Sequence, residues 1–186
     1  MQNGKTRAFI AVDIPAQVRE LIIKAANDIG TEGVKVVGLD QMHITLAFLG
    51  DLGAKQIESI KNIVSSIDQR KFDVSLVGTG TFSIKSPRVI FTKIQKGAEE
   101  LKMIYESMSD RLSEIVKLGE RGFSPHVTIA RLKGFDKGAV EVATAFISKY
   151  KDYDFGSFTC DSVRLKQSVL AQGGAVHSDL YVKELS

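Results

Sequence analysis

The chain has 186 residues, 44% hydrophobic and 25% charged, a composition that excludes a disordered or fibrous protein and leaves an ordinary globular one. Twenty-five basic against 22 acidic side chains give a formal charge of +3, which admits an anionic partner of a few nucleotides or an RNA end but lacks the dense basic stripe that grips long nucleic acid. The single cysteine, Cys160, excludes an internal disulfide and a thiolate zinc knuckle, and it fits a reducing compartment.

In chain order, the polar start Met1 to Arg7 runs into an apolar stretch, Ala8 to Val12, too short for a signal or a membrane span. A cytoplasmic, unprocessed chain is expected. Arg7 to Asp13 reads as a first strand. Pro15 then opens an amphipathic helix with Val18, Leu21, Ile22, Ala25 and Ile29 on one side, ended by Gly30. Val34 to Val37 is a short strand, Gly38 to Gln41 a turn, and His43 to about Leu49 the next strand, closed by Gly50 to Gly53. Ile57, Ile60, Ile63, Val64 and Ile67 mark a second helix. Strands near Phe72 to Thr79 and Arg88 to Ile94 flank a polar turn, Ser83 to Pro87. A long helix is predicted from about Ala98 to Leu118, with a turn at Gly119 to Gly122. Pro125 sets the entry to a strand beginning at His126, and a helix follows over roughly Gly138 to Tyr150. Tyr153 to Leu170 and Ala175 to Leu185 read as strands joined by a hairpin turn at Gln172-Gly173-Gly174.

One phrase occurs twice in this succession. His43-Ile44-Thr45-Leu46-Ala47-Phe48 and His126-Val127-Thr128-Ile129-Ala130-Arg131 lie 83 residues apart and use two of the three histidines. In both, apolar and polar residues alternate with period two, so His and Thr share the accessible face of a strand. Packing accounts for Ile44, Leu46, Val127 and Ile129 but gives no reason to keep the outward His and Thr. The spacing is too long for a solenoid repeat and right for a duplicated lobe. The expected fold is α+β and bilobal: two pseudo-symmetric lobes of antiparallel-rich sheet, helices outside, and a central cleft lined by one His/Thr strand from each.

Two imidazoles facing a phosphate form a natural acid/base pair, since each titrates near neutrality. The hydroxyls of Thr45 and Thr128 can donate to non-bridging oxygens, and a guanidinium can stabilise the charge of the transition state. No metal is required. Zinc held by His43, His126 and His177 is the alternative, but neither a cysteine partner nor an HExxH spacing supports it.

The chain resembles the two-histidine phosphoesterases, in particular their bacterial and archaeal RNA 2',3'-cyclic phosphodiesterases, also called 2'-5' RNA ligases. The resemblance rests on Arg7-Ala8-Phe9-Ile10-Ala11-Val12-Asp13-Ile14-Pro15, on Gln41 to Gly50 around the first phrase, and on Pro87-Arg88-Val89-Ile90-Phe91. It continues through Phe123 to Arg131 around the second phrase and through Ser168-Val169-Leu170 with Gly173-Gly174, nearly the whole chain. It implies no cofactor and the opening of a terminal 2',3'-cyclic phosphate to a 2'-phosphomonoester. His43 would be the general acid at the leaving 3'-oxygen and His126 the general base on water. Thr45 and Thr128 would hold the phosphate and Arg131 would be the cation. The implied partners are RNA with a cyclic-phosphate end, tRNA fragments among them, or a cyclic nucleotide, and a monomer is expected.

Strict alternation sets Arg131 and Phe48 on the face opposite the histidines, so their use in the site needs the strand to end or twist there. Phe48 reads first as a core aromatic and second as a platform for stacking a base. His177 has no copy of the phrase around it and reads as a surface or packing residue. Arg88, Arg164 and Lys166 are candidates for lining an RNA path, although single basic residues on strands are usually solvated. Joining of RNA ends would use the same two proton transfers with a ribose hydroxyl in place of water. The rival from another class is a binding module for nucleotides or RNA ends, which would need the hydroxyls and cations but not both histidines.

Overall fold

The computed structural model describes residues 4–30, 33–119, 122–134, 137–172 and 174–186. Its elements are β1 (Thr6–Asp13), α1 (Ala16–Ala26), β2 (Val34–Val36), a 3-10 turn (Leu39–Gln41), β3 (His43–Leu52), α2 (Ala54–Ser65) and β4 (Phe72–Gly80). Then come β5 (Val89–Ile94), α3 (Ala98–Ser113), β6 (His126–Leu132), α4 (Lys137–Lys149), β7 (Asp154–Cys160), β8 (Ser162–Ala171) and β9 (Gly174–Glu184). Local chemistry starts the helices: Pro15 precedes α1 with φ −65°, and at α2 the Gly53 N–H donates to Gln56 Oε1 at 3.0 Å. Each helix buries one stripe, such as Val18, Ile22, Ala25 and Ala26 in α1 and Leu101, Ile104, Met108 and Leu112 in α3.

The strands run in the order β7-β4-β5-β6-β3-β1-β8-β9, with β2 added to β6, and every described pairing is antiparallel. One lobe holds β3, β1, β8 and β9; the other holds β6, β5, β4 and β7. They meet where β3 and β6 touch through one Cα pair, Ile44 opposite Val127. The α+β, two-lobed expectation therefore holds, with an arrangement that the linear repeat conceals. The lobes are not the two halves of the chain. β8 and β9 return to the lobe of β1 and β3, while β4 and β5 leave it.

The helices repeat this exchange. In the copies β1-α1-β3-α2 and β5-α3-β6-α4, the second helix packs behind its own lobe, α2 against β8 and β9 and α4 against β4. The first helix packs behind the other lobe, α1 against β6 and β7 and α3 against β3. The core thus lies between helices and sheet, and the opposite face of the sheet is left for the cleft.

Three sequence expectations change. The stretch from Tyr153 to Leu170 is two strands broken at Asp161, because β7 pairs with β4 in one lobe and β8 with β1 in the other. β3 continues past Gly50 to Leu52, since Gly50 is still paired with Ala8. Regular helix in α3 stops at Ser113; Ile115 and Val116 follow in a turn bonded to the Leu112 carbonyl and still packed on the core, which explains why helical periodicity persisted in the sequence. Glu120 and Arg121 of the expected turn, and Gly173 of the expected hairpin, lie outside the described residues.

Candidate active site

A cleft of about 630 Å³ opens on the strand face and is lined by His43, Thr45 and Phe48 of β3 and by His126, Thr128 and Arg131 of β6. The contact between Ile44 and Val127 acts as a local two-fold point. Counting one residue outward in the antiparallel sense sets His43 toward Thr128 and Thr45 toward His126. Each lobe therefore offers a His and a Thr to the same space, and among the described residues no carboxylate lines it.

Phe48 and Arg131 reach the cleft through a β-bulge present in both copies. In β3, Thr45 pairs with Ala11 and Ala47 with Ile10, which leaves Leu46 without a partner; in β6, Thr128 pairs with Phe91 and Ala130 with Ile90, which leaves Ile129 without one. Two successive residues then face inward, Leu46 with Ala47 and Ile129 with Ala130, and the parity of the strand reverses. Phe48 emerges 67% exposed and Arg131 exposed, on the side of the histidines. The core reading of Phe48 is thereby corrected, and the departure from strict alternation has its physical cause.

Both imidazoles are held by the backbone two residues earlier. His126 Nδ1 donates to the Ser124 carbonyl at 2.8 Å, and His43 bonds the backbone of Gln41. With Nδ1 carrying its proton, His126 leaves Nε2 unprotonated. The Gln41 side chain donates through Nε2 to the Ala175 carbonyl at 3.0 Å and ties the start of β3 to the last hairpin. Only glycine fits beside it at position 174, where φ is +130° and a Cβ would lie 2.5 Å from that Nε2.

The surroundings of the two rings differ. His43 packs against Phe9 (centroids 4.8 Å apart) and against the edge of His177 (5.3 Å). His126 packs against Phe82 (4.9 Å) and Phe91 (5.0 Å). Burial depresses both pKa values. For His43 the nearby His177 adds to burial, and the value falls to about 4 against the opposing pull of Gln41 and Asp13. For His126 the Arg131 charge adds to burial, and the Ser124 bond opposes it. At neutral pH both rings are uncharged in the free protein.

His177 thus belongs to the cleft, contrary to the sequence reading. Its strand pairs Ser168 with His177 at the far side of β1, a long-range placement with no local signature. Arg7, Phe9 and Phe82 are further lining residues that the sequence reading did not single out. Arg164 and Lys166 line no RNA path in the cleft: Lys166 is 8% exposed and donates to Asp13 (2.9 Å) and Asp179 (2.7 Å), and Arg164 joins the same carboxylates. Arg88 is exposed ahead of β5 and is not among the cleft residues. Among the described residues no group of three or more His, Cys, Asp or Glu side chains is placed to hold a metal ion. Nor, among them, is any helix long and apolar enough to cross a membrane.

Comparisons with known proteins converge on one family. Residues 12–91 match the family model described as LigT like Phosphoesterase. A curated RNA 2',3'-cyclic phosphodiesterase of Archaeoglobus fulgidus is 31% identical over 180 residues, covering 96% of this chain and 99% of the relative. Another from Methanocaldococcus jannaschii is 33% identical, covering 92% and 96%. The fold superposes on Escherichia coli LigT complexed with 3'-AMP with a TM-score of 0.82 at 23% identity, covering 98% of this chain and 99% of that one.

Proposed function

The chain belongs to the LigT-like phosphoesterases, and on that premise we propose that it opens the terminal 2',3'-cyclic phosphate of RNA, or a nucleoside 2',3'-cyclic phosphate, to the 2'-phosphomonoester without a metal. The observation that carries this reading is the pair of backbone-anchored imidazoles, one from each lobe, facing a single cleft free of described carboxylates.

His126 serves as the base. Its unprotonated Nε2 takes a proton from water as the water oxygen bonds to phosphorus, while the bond from phosphorus to the 3'-oxygen breaks and His43 gives that oxygen a proton. Thr45, Thr128 and Arg131 hold the non-bridging oxygens as their charge grows. His43 must be charged to act, although burial keeps it neutral in the free protein. The bound phosphate anion supplies the opposite charge, which raises the His43 pKa on substrate binding. Proton uptake is thereby coupled to substrate. Phe48, exposed beside Phe9 with centroids 6.5 Å apart, offers a base a stacking surface.

We further propose that residues 1–186 act as one bilobal catalytic unit and as a monomer, since both histidines come from one chain. The cytoplasm fits the unpaired, buried Cys160, whose thiol pKa burial pushes up to about 12.

The test is turnover of a nucleoside 2',3'-cyclic phosphate in excess EDTA, with the product assigned by phosphorus NMR against authentic 2'- and 3'-monophosphates. A 2'-phosphate is expected. A 3'-phosphate would reverse the acid and base assignments, and binding without turnover would favour the non-catalytic module.

A further inference from the structure

Beyond the terminal phosphate, and resting on the activity proposed above, we propose that Arg7 binds the phosphodiester on the 5' side of the terminal nucleotide and makes the enzyme select an RNA chain over a single nucleotide. Arg7 is exposed, lines the cleft, and among the described residues no carboxylate pairs with it. Asp51 lies opposite on β3 without forming an ion pair. Asp51 shares that face of the strand pair, but it is not among the cleft residues, and the Arg7 guanidinium it leaves unpaired is suited to an anion in the cleft.

Its position along the strand pair indicates which anion. On β1, Ala11 stands opposite Thr45, Phe9 opposite Phe48, and Arg7 opposite Asp51. Each step is two residues of strand, about 7 Å, and Phe9 and Arg7 share a face. From the His/Thr level outward the cleft therefore presents a phosphate site, an aromatic pair and a cation, in that order. A 3'-terminal nucleotide with a cyclic phosphate has the same sequence of parts: the cyclic phosphate, the nucleoside, then the diester to the preceding residue. A mononucleotide substrate ends before it reaches Arg7.

The experiment compares kcat/KM for adenosine 2',3'-cyclic phosphate with that for a dinucleotide carrying the same terminal group, from about 50 to about 400 mM salt. The dinucleotide is expected to be preferred by about tenfold or more, the range of a charge-assisted contact, with a steeper fall of kcat/KM as salt rises, because the added contact is screened. Arg7→Gln should remove both the preference and the extra slope, and Arg7→Lys should retain the slope. An equal loss on both substrates would put Arg7 at the terminal phosphate and overturn the proposal. A lost preference with an unchanged slope would mean a contact to the base, and an unmodified enzyme without preference would overturn it outright. Binding of the corresponding 2'-phosphate products, measured by calorimetry at the same salts, reads the same slope; should neither cyclic substrate turn over, the activity fails while Arg7 is still judged.

Discussion

The two ends of the cleft carry the same hexapeptide geometry in different company. At His126 the neighbours are Phe82 and Phe91, which cannot titrate, and the charged group of the phrase is Arg131. At His43 one neighbour is a second imidazole, and behind the pair lies a small polar cavity lined by Asp13, Lys166, His43 and His177. Equal backbone anchoring with unequal surroundings is what the acid and base roles proposed above rest on. Burial lowers both rings, and the one with a second imidazole beside it is held lowest, at about 4.

The largest expected effect treats the ends alike. His43→Ala and His126→Ala should each lower turnover by about 100-fold or more, the scale for loss of a general acid or base, with folding followed by circular dichroism. If one variant kept near-normal turnover, the paired-imidazole mechanism would be wrong.

A pH series sharpens the difference. An unfolded histidine takes up a proton near pH 6.5, whereas folded His43 resists until about 4, so the unfolded chain binds more protons in that window. Stability should be flat with respect to His43 above the window and should decline as pH falls through it. Thermal melts should show this acid-side decline flattened more by His43→Gln than by His126→Gln; equal flattening would remove the asymmetry.

The smallest effect concerns His177. His177→Phe keeps a ring on Phe9 but removes the imidazole that helps hold His43 down, so the His43 titration should move upward while that of His126 stays in place. Turnover should change by less than about tenfold. The two imidazoles that remain can be followed separately by NMR. A loss matching that of His43→Ala would instead favour three histidines acting together.

Much of this was legible in the chain. Period-two alternation located the strands, and the repeated phrase brought His43, Thr45, His126 and Thr128 into one cleft. The exchange of strands and helices between lobes was not legible, because alternation reports burial on a face and carries no information about which strand lies alongside. Asp161 separates two strands bound for different lobes without any break in composition. Arg164 and Lys166 looked like free cations because their carboxylate partners, Asp13 and Asp179, lie elsewhere in sequence. The sides taken by Phe48 and Arg131 depended on an unpaired residue in each strand, which requires knowledge of the neighbouring strand.

That unpaired residue also gives the hexapeptide a strict metre. Leu46 and Ile129 work as a frameshift written in backbone: before them odd and even positions alternate between cleft and core, and just after them the assignment is exchanged, in β3 until a second shift skips Leu49. Such a device requires a buried residue at the extra beat and does not tolerate its loss. Deleting one residue would turn Phe48 or Arg131 toward the core and bring the next apolar residue to water. A substitution at the sixth position of either copy would therefore change what lines the cleft without moving the histidine at the first.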